Sequence, residues 1–223
     1  MTTRTSRARQ AEILREYGPH PGMDQIHGVT FDGTHVWCAR GESIVALDPA
    51  SGALVREITV AADAGTAFDG RYLWQIAGDR IQKIEPRSGK VVANIPAPAK
   101  GRDSGLAWAE GTLWVGEYRG RKIHQIAPET GAILRTIESD RFVTGVSWVN
   151  GELWHATQEA ENSELRRIDP KTGEVLERVE MPAGVVVSGL EADGAGVFYC
   201  GGSTSGKVRA VRKPKRRTSK RKR

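Results

Sequence analysis

Eight side chains of this 223-residue chain have the types and positions that acid–base chemistry or ligand binding requires. We assign His27, Glu117 and Glu191 to catalysis, because an imidazole titrates near neutrality and a nearby carboxyl group could complete an acid–base pair. A divalent metal ion could assist such a pair, although no motif requires one. The residues expected to contact a ligand are Arg40, Asp63, Asp103, Tyr118 and His155.

Two of these candidates interrupt an internal repeat, which favours a function for each. His27 precedes a glycine, and Glu191 lies within a short apolar run. The equivalents of His27 are Ala64, Ser104, Thr144 and Ser188, and those of Glu191 are Thr30, Ala67, Ala107 and Ser147. The alternative for His27 is a hydrogen-bonded histidine with no catalytic role. The alternatives for Glu191 are a solvated carboxylate, a ligand of water or metal in a central channel, or an ion pair with Arg40.

The other candidates also have structural alternatives. Glu117 and Tyr118 could belong to a surface loop that forms ion pairs with nearby arginines. Asp63 and Asp103 could cap turns by accepting hydrogen bonds from the backbone. His155 follows a tryptophan directly, so strand alternation would point it to the opposite face of the sheet, where it could pack between neighbouring sheets.

The repeat that positions these residues consists of four short β-type runs. Each copy opens with a glycine and an apolar run, turns at an X-Gly pair, returns through a run centred on an aromatic residue, and ends its third run in a turn. The central aromatic residues are Trp37, Trp74, Trp114, Trp154 and Phe198, which are 37 to 44 residues apart. Four strands in about 40 residues are typical of a β-propeller blade.

The two ends of the chain complete the pattern. The fifth copy has three runs and ends near Val211, whereas a run with the fourth-strand pattern lies at residues 11–17. We therefore predict an all-β, five-bladed β-propeller with four-stranded antiparallel blades, in which the N-terminal strand completes the last blade and closes the ring. An open β-solenoid or a stacked sheet is the alternative. The expected divisions are a flexible basic N-terminus at 1–10, the propeller at 11–212 and a disordered basic tail at 213–223.

This topology explains why residues far apart in the sequence could share one site. In a propeller blade, the first strand starts and the second strand ends on the same face of the ring. Residues just before each opening glycine therefore meet residues just after each aromatic residue, in a shallow funnel. We expect the candidates to line that funnel.

Positive charge is concentrated at the two ends of the chain. The formal net charge is +6, but residues 213–223 carry eight positive side chains, so the remainder is at −2. Without Arg4, Arg7 and Arg9 the ring itself is near −5. Either the tail is solubilising, or Lys213–Arg223 make a weak, non-specific contact with nucleic acid or another polyanion.

The compartment is predicted from what the sequence lacks. It contains neither a stretch that is long and apolar enough to span a membrane nor the apolar segment of a secretory signal at its N-terminus. Its two cysteines, Cys38 and Cys200, lie in second-strand runs and are expected to be reduced and buried. We therefore expect a cytoplasmic protein that has no membrane contact.

The units at residues 110–117 and 126–131 resemble the YVTN-type and streptogramin lyase-like propeller repeats, and the resemblance covers residues 28–212. Trp114-Val115-Gly116-Glu117 is similar to the Trp-x-x-Glu element of streptogramin lyases, which implies a metal-assisted His/Glu site, although those enzymes have seven blades. The five-bladed ring resembles the glutaminyl cyclotransferases of plants and bacteria. That resemblance implies a catalytic glutamate near the central channel, but neither Glu117 nor Glu191 falls in a matching motif.

Two functions stay open at this point. The first is a propeller scaffold that binds a small molecule, a peptide or a protein partner at the funnel. The second is a small enzyme, a lyase or an acyl- or cyclotransferase, that uses a His/Glu acid–base pair. The first is favoured because the chain has no Gly-rich phosphate loop, HExxH, CxxC or G-x-S-x-G motif.

Overall fold

The structure, a computed structural model, describes residues 8–215 of the chain. Every helix or strand assigned in that range is a β-strand. The predictions for residues 1–7 and 216–223 lie outside the described residues. In chain order the strands are β1 (Arg9–Gln10), β2 (Ile13–Tyr17), β3 (Gly28–Phe31), β4 (Val36–Ala39), β5 (Gly41–Leu47), β6 (Leu54–Ala62), β7 (Thr66–Phe68), β8 (Leu73–Ala77), β9 (Arg80–Ile84), β10 (Val91–Pro96), β11 (Asp103–Ala109), β12 (Thr112–Glu117), β13 (Lys122–Ile126), β14 (Ile133–Glu138), β15 (Phe142–Val149), β16 (Glu152–Glu159), β17 (Asn162–Ile168), β18 (Val175–Glu180), β19 (Gly189–Ala192), β20 (Val197–Gly201) and β21 (Val208–Arg212).

These strands form five sheets, which are the blades of a propeller. Blades 1 to 4 are β3–β6, β7–β10, β11–β14 and β15–β18, and blade 5 consists of β19–β21 and β2. The first strands of successive blades contact one another, and β19 contacts β3, so the five blades form a closed ring. The prediction of an all-β, five-bladed propeller is therefore confirmed.

The N-terminal segment closes this ring. Strand β2 pairs antiparallel with β21, with Ile13 opposite Val211 and Tyr17 opposite Val208, as the incomplete fifth copy predicts. One element is additional: β1 pairs in parallel with β18 and adds a fifth strand to blade 4, with Gln10 opposite Glu180. Residues 9 and 10, which the sequence pattern assigns to the N-terminal extension, thus belong to the folded ring.

The tryptophans of the repeat join neighbouring blades. Trp74 of blade 2 stacks on Trp108 of blade 3, with 6.0 Å between the ring centroids. Trp114 of blade 3 stacks on Trp148 of blade 4 at 6.1 Å. Because these rings bury large apolar areas between sheets, their role is structural.

Acidic side chains hold the turns between the first and second strands. Asp69 Oδ1 accepts hydrogen bonds from the backbone N–H groups of Arg71 and Tyr72 at 2.9 and 2.7 Å, and Asp69 Oδ2 accepts one from Trp74 Nε1 at 2.8 Å. Asp32 makes the same three bonds in blade 1. The turn residue therefore also orients the aromatic ring that packs between blades.

A ring of glycines surrounds the axis where the first strands meet. A Cβ atom on Gly105 would lie 2.5 Å from the backbone nitrogen of Val146 and 2.6 Å from the carbonyl carbon of Gly145, in the next blade. The equivalent glycines of the other blades, which make similar backbone contacts, are Gly28, Gly65, Gly145 and Gly189. Only a residue without Cβ allows the five first strands to approach this closely, so these glycines set the radius of the ring.

Both cysteines are free and buried, as predicted. Burial raises the pKa of the Cys38 and Cys200 thiols to about 12, so both pack as small apolar side chains. Residues 8–215 contain no helix with the length and apolar character that crossing a membrane would require.

Candidate ligand-binding funnel

One face of the ring opens into a funnel built from two sets of residues. The first set precedes the opening glycine of each blade, and we call these five positions the funnel floor: His27, Ala64, Ser104, Thr144 and Ser188. The second set lies at or just after the end of each second strand. Strand register brings the sets together, since Asp103 lies opposite Glu117 and Phe142 lies opposite Gln158.

The funnel contains a cavity of about 600 Å³, which is within the size range of small-molecule sites. Four of the eight predicted site residues line it: His27, Asp63, Asp103 and Tyr118. The other four, Arg40, Glu117, His155 and Glu191, are not among its lining residues. The structure therefore brings together half of the predicted set.

His27 presents an uncommitted imidazole to this cavity. The side chain is half-buried, and neither ring nitrogen has a hydrogen-bond partner among residues 8–215, whereas its backbone N–H donates to Ala39 O at 2.9 Å. Burial lowers the pKa of His27, and the negative charge of Asp63 opposes this shift only in part. The imidazole is therefore mainly neutral at pH 7, with one nitrogen able to accept a proton and the other able to donate a hydrogen bond.

The two aspartates of the funnel are held by backbone donors. Both carboxylate oxygens of Asp63 are 3.1 Å from the N–H nitrogen of Gly78. Asp103 accepts from Ala99 N at 3.0 Å and from Gly101 N at 3.3 Å. Burial raises the pKa of Asp103, and the backbone donors oppose this shift. Both residues thus order loops and still face the cavity, so the structural and the ligand-binding interpretations are compatible.

Hydroxyl groups on the funnel floor connect neighbouring blades, with one exception. Ser104 Oγ donates to Val143 O of the next blade at 2.7 Å, and Ser188 Oγ donates in the same way to Ile26 O. Thr144 occupies the equivalent position in blade 4, but its Oγ1 is buried and has no partner among the described residues. The hydroxyl of Thr144 is therefore free for another acceptor.

Cationic and aromatic groups form the rim. Arg102 lies 3.2 Å from Glu117 Oε1, whereas Arg119 is exposed and has no ion-pair partner among residues 8–215. Tyr118 packs against Phe142 with 4.9 Å between ring centroids, and its hydroxyl lies 3.5 Å from Gln158 Oε1. The rim thus combines a free guanidinium group with an aromatic surface.

Glu117 lies behind this rim, buried within blade 3. Its Oε2 is 3.4 Å from His124 Nε2, and His124 Nδ1 is 2.9 Å from Thr136 Oγ1. Together with Arg102, these contacts give Glu117 a full set of partners. The assignment of Glu117 to an acid–base pair with His27 stays a prediction, since the two residues share no hydrogen bond.

Two predicted ligand contacts, Arg40 and His155, do not line the cavity. Arg40 forms an ion pair with Glu57, donates from Nε to Ser43 Oγ at 2.6 Å and donates from Nη1 to Gly22 O at 2.7 Å, so it does not pair with Glu191. His155 is buried within blade 4, and burial together with the positive charge of Arg166 lowers its pKa to about 3. This agrees with the alternative in which His155 packs within the protein.

Glu191 lies in the central channel, below the funnel. It is three residues further along the first strand than Ser188, which corresponds to about 10 Å. Its carboxylate accepts hydrogen bonds from Thr30 Oγ1 at 2.9 Å and from Ser147 Oγ at 2.8 Å, so it connects blades 1, 4 and 5. Burial raises the pKa of Glu191 to about 7, and these donors, with the N–H of Ala192, oppose the shift. Glu191 could therefore exchange a proton near neutral pH.

No group of three or more His, Cys, Asp or Glu side chains within residues 8–215 converges to hold a metal ion. Ten of the fourteen lining residues lie outside the predicted set, and those with polar or charged side chains include Arg102, Arg119, Thr144 and Gln158. Arg102 precedes Asp103 and Arg119 follows Tyr118, so extending the predicted set by one residue could have found both. Thr144 is the repeat equivalent of His27. Nothing in the repeat distinguishes Gln158.

Comparison with known proteins places the chain in a family. A family model described as outer membrane protein assembly factor BamB matches residues 69–215, which is 147 of the 223 residues. The chain belongs to this family. A search of curated protein sequences finds no match.

Solved structures with the same architecture have low sequence identity to this chain. Glutaminyl cyclase from Myxococcus xanthus is similar at a TM-score of 0.76 and 19% identity, over 93% of this chain and 97% of that one. A chain of the mitotic checkpoint complex gives a TM-score of 0.54 at 10% identity, over 95% of each chain. Hydrazine synthase from Kuenenia stuttgartiensis gives 0.51 at 18% identity, over 80% of this chain and 56% of that one. These similarities extend to the fold.

Proposed function

We propose that the funnel binds a small zwitterionic molecule, such as a free amino acid or the first residue of a peptide. The observation that carries this proposal is the uncommitted, neutral imidazole of His27 in a cavity of about 600 Å³. A half-buried imidazole without a partner in the protein has a donor and an acceptor nitrogen free for a ligand.

The charges around the cavity favour a ligand that carries both signs. The carboxylate of Asp63 can bind an ammonium group of the ligand. The guanidinium group of Arg119 can bind a carboxylate, because it has no ion pair with an acidic side chain among the described residues. A purely anionic ligand would face Asp63 and Asp103, and a purely cationic one would face Arg102 and Arg119. A zwitterion avoids both repulsions.

Thr144 supports the same proposal from the floor of the funnel. Its hydroxyl lacks the contact to the next blade that Ser104 and Ser188 make. A buried hydroxyl without a partner costs about 1–3 kcal/mol relative to a satisfied one. A ligand acceptor at this point would recover part of that cost, which favours ligands that carry a carbonyl or carboxylate group.

Thermal shift with a panel of amino acids and dipeptides tests the proposal. A ligand present at about 100 times its Kd should stabilise the fold by about 2.7 kcal/mol, which corresponds to about 5–10 °C for a chain of this size. His27→Ala should abolish the shift. His35→Ala is the matched control, because His35 lies in the same blade, at the turn held by Asp32. Panel members that shift wild type and His27→Ala equally would contradict the proposed site.

A cyclotransferase-like reaction is the second candidate. It is favoured by the neutral imidazole of His27 and by the similarity of nearly the whole ring to the M. xanthus glutaminyl cyclase. In such a reaction the α-amine of an N-terminal glutamine attacks its own side-chain amide carbon, the new C–N bond closes the ring, and ammonia leaves. His27 would take the proton from the amine and deliver it to the leaving ammonia.

Release of ammonia from a glutamine-initiated peptide distinguishes the two candidates. If the reaction occurs, His27→Ala should lower the rate by about 10²–10⁴-fold, and the rate should fall as pH drops through the lowered pKa of His27. Binding without ammonia release would leave the scaffold function. Ammonia release that His27→Ala leaves unchanged would remove His27 from the chemistry.

A further inference from the structure

The seam between blades 1 and 2 differs from the other four seams of the ring. Each of the others contains a pair of aromatic rings. Three of the second-strand tryptophans also have a cation over the ring, namely Trp74, Trp114 and Trp154. In blade 2 this cation is Lys83, which lies opposite Trp74 in the strand register, with Nζ 4.8 Å from the ring centroid. In blade 1 the residue opposite Trp37 is Ala46, whose methyl group carries no charge.

Arg56 could cover Trp37 instead, but it is bound to the next blade. It has the same fourth-strand position as Arg135, which lies over the tryptophan of blade 3. Arg56 Nη2 donates to Arg87 O in blade 2. Together with the small Ala46, this arrangement leaves a cavity of about 440 Å³ at the seam, which we call the seam cavity.

The seam cavity combines apolar side chains with two arginines. The apolar lining residues are Trp37, Ala46, Val55, Phe68 and Pro86. Arg56 and Arg87 also line the cavity, and both are exposed. Neither guanidinium group lies within ion-pair distance of an acidic side chain among residues 8–215. The one carboxylate in the lining, Asp32, accepts its hydrogen bonds within blade 1. The arginines therefore set the sign of the charge that a ligand meets.

We propose that the seam cavity binds a peptide segment of a partner protein in which a large apolar side chain is flanked by Asp or Glu. The apolar side chain would contact Trp37 and Phe68, and the flanking carboxylates would bind Arg56 and Arg87. Arginine beside aromatic side chains is the composition of residues that dominate protein interfaces. A basic segment would be repelled by both arginines, so charge complementarity selects an acidic one.

The position of β6 favours a peptide over a small molecule. Strand β6 is the outermost strand of blade 1, and its exposed residues Leu54 and Val55 adjoin the cavity. The outermost strand of blade 4, β18, pairs in parallel with β1. The outer edge of a blade in this protein can therefore accept an additional extended segment, which is a common way for a sheet to bind a peptide.

The seam cavity is separate from the funnel. It includes Asp32 and Thr34, in the turn that joins the first and second strands of blade 1, whereas the funnel lies at the opposite ends of those strands. The two cavities share no lining residue. Peptide binding at the seam should therefore be independent of ligand binding in the funnel, so the failure of one proposal does not affect the other.

Fluorescence anisotropy with a short labelled peptide, in which a central Phe is flanked by two Asp residues, tests the proposal on the full-length protein. Arg56→Gln with Arg87→Gln should weaken binding by about 4- to 25-fold, since each exposed ion pair contributes a factor of about 2–5. Asn in place of the two Asp residues of the peptide should cause a similar loss. Ser in place of its Phe should weaken binding by at least about tenfold, because the apolar contact is lost. Equal binding of the Asn peptide and the Asp peptide would overturn the proposal.

Ala46→Lys separates the shape of the cavity from its charge. A lysine here would take the place that Lys83 has over Trp74, where its Nζ also lies 3.9 Å from Asp69 Oδ2. The variant adds a positive charge, yet it should weaken binding of the acidic peptide by at least about tenfold, because the lysine would fill the space for the Phe side chain. Unchanged or tighter binding by a folded Ala46→Lys variant would overturn the proposal. If thermal melts show that this variant does not fold, the Phe and Ser peptides test the same contact on wild type.

The matched control for the arginine pair is Arg80→Gln with Lys100→Gln, which removes the same charge from two exposed positions outside the cavity. This control should bind the peptide like wild type. An equal loss in both double variants would mean that only net charge matters, and would overturn the seam site. Phenylacetate that binds as tightly as the peptide would overturn the assignment to a peptide, because a small apolar acid would then be sufficient.

Discussion

The ring of glycines gives the most direct test of the structure, and Gly105→Ala is the variant to make. Its Cβ would lie 2.5 Å from the backbone nitrogen of Val146 and 2.6–2.7 Å from two backbone atoms of Gly145. These distances are about 1 Å shorter than ordinary carbon contacts. Because the obstructing atoms are backbone of a central strand, no side-chain rotation can relieve them.

The magnitude follows from this geometry. Overpacking a core costs about 1–3 kcal/mol, and we expect the upper end here, because relief requires blades 3 and 4 to separate. A loss of about 3 kcal/mol lowers Tm by about 6–12 °C for a chain of this size. Gly189→Ala should cost less, since its nearest contact would be 2.8 Å.

Thermal melts followed by circular dichroism, with urea titration as a second measure, test this expectation. Gly111→Asn is the control, because Gly111 has φ +78 and nothing within 4 Å of its Cβ position. Asparagine tolerates that conformation, as Asn150 does here with φ 53. The control should lose less than about 1 kcal/mol. A Gly105→Ala variant that melts within about 2 °C of wild type would refute the idea that these glycines set the radius.

Three further predictions concern single side chains. The pKa of Glu191 is raised to about 7, so its folded form binds the proton more tightly than the unfolded chain. The contribution of protonated Glu191 to stability is full below about pH 4.5 and is lost as pH rises through 7. Glu191→Gln should therefore be about 1–3 kcal/mol more stable than wild type at pH 8.5. A difference in urea stability that does not change with pH would count against this. Thr144→Val should keep or raise Tm, whereas Ser188→Ala should lose about 1 kcal/mol, and the opposite order in thermal melts would contradict the assigned hydrogen bonds. Asp69→Ala removes three hydrogen bonds, including that from Trp74 Nε1, and should cost about 1–3 kcal/mol in the same melts. The control is Asp79→Ala, at an exposed position, which should not show this loss.

Most of the fold could be predicted because the repeat encodes it locally. The opening glycines and the central aromatic residues recur in all five blades, and a turn aspartate that accepts backbone hydrogen bonds recurs in blades 1, 2 and 5. The closing strand was predictable for the same reason, since it fills the gap in the last copy. Strand β1 was not, because Arg9 and Gln10 are polar and carry no repeat signal.

The site was predictable in position and less so in its contacts. Topology alone brings His27, Asp63 and Asp103 to one face, which needs no knowledge of side chains. Ion-pair partners are different, because they depend on the twist between strands. Arg40 finds Glu57 on the fourth strand of its own blade, a residue to which the repeat assigns no role.

The funnel floor and the glycine ring are consecutive residues, and this connects stability with the proposed site. Each floor residue is followed at once by a glycine whose backbone is pressed against the next blade. The floor positions are therefore held at a fixed radius by glycine contacts that do not depend on which side chain the floor residue carries. This explains how one blade can carry His27 where the others carry Ala, Ser or Thr. It also means that a change at Gly28 should impair binding by His27 even when the protein stays folded, because the imidazole would move with the backbone.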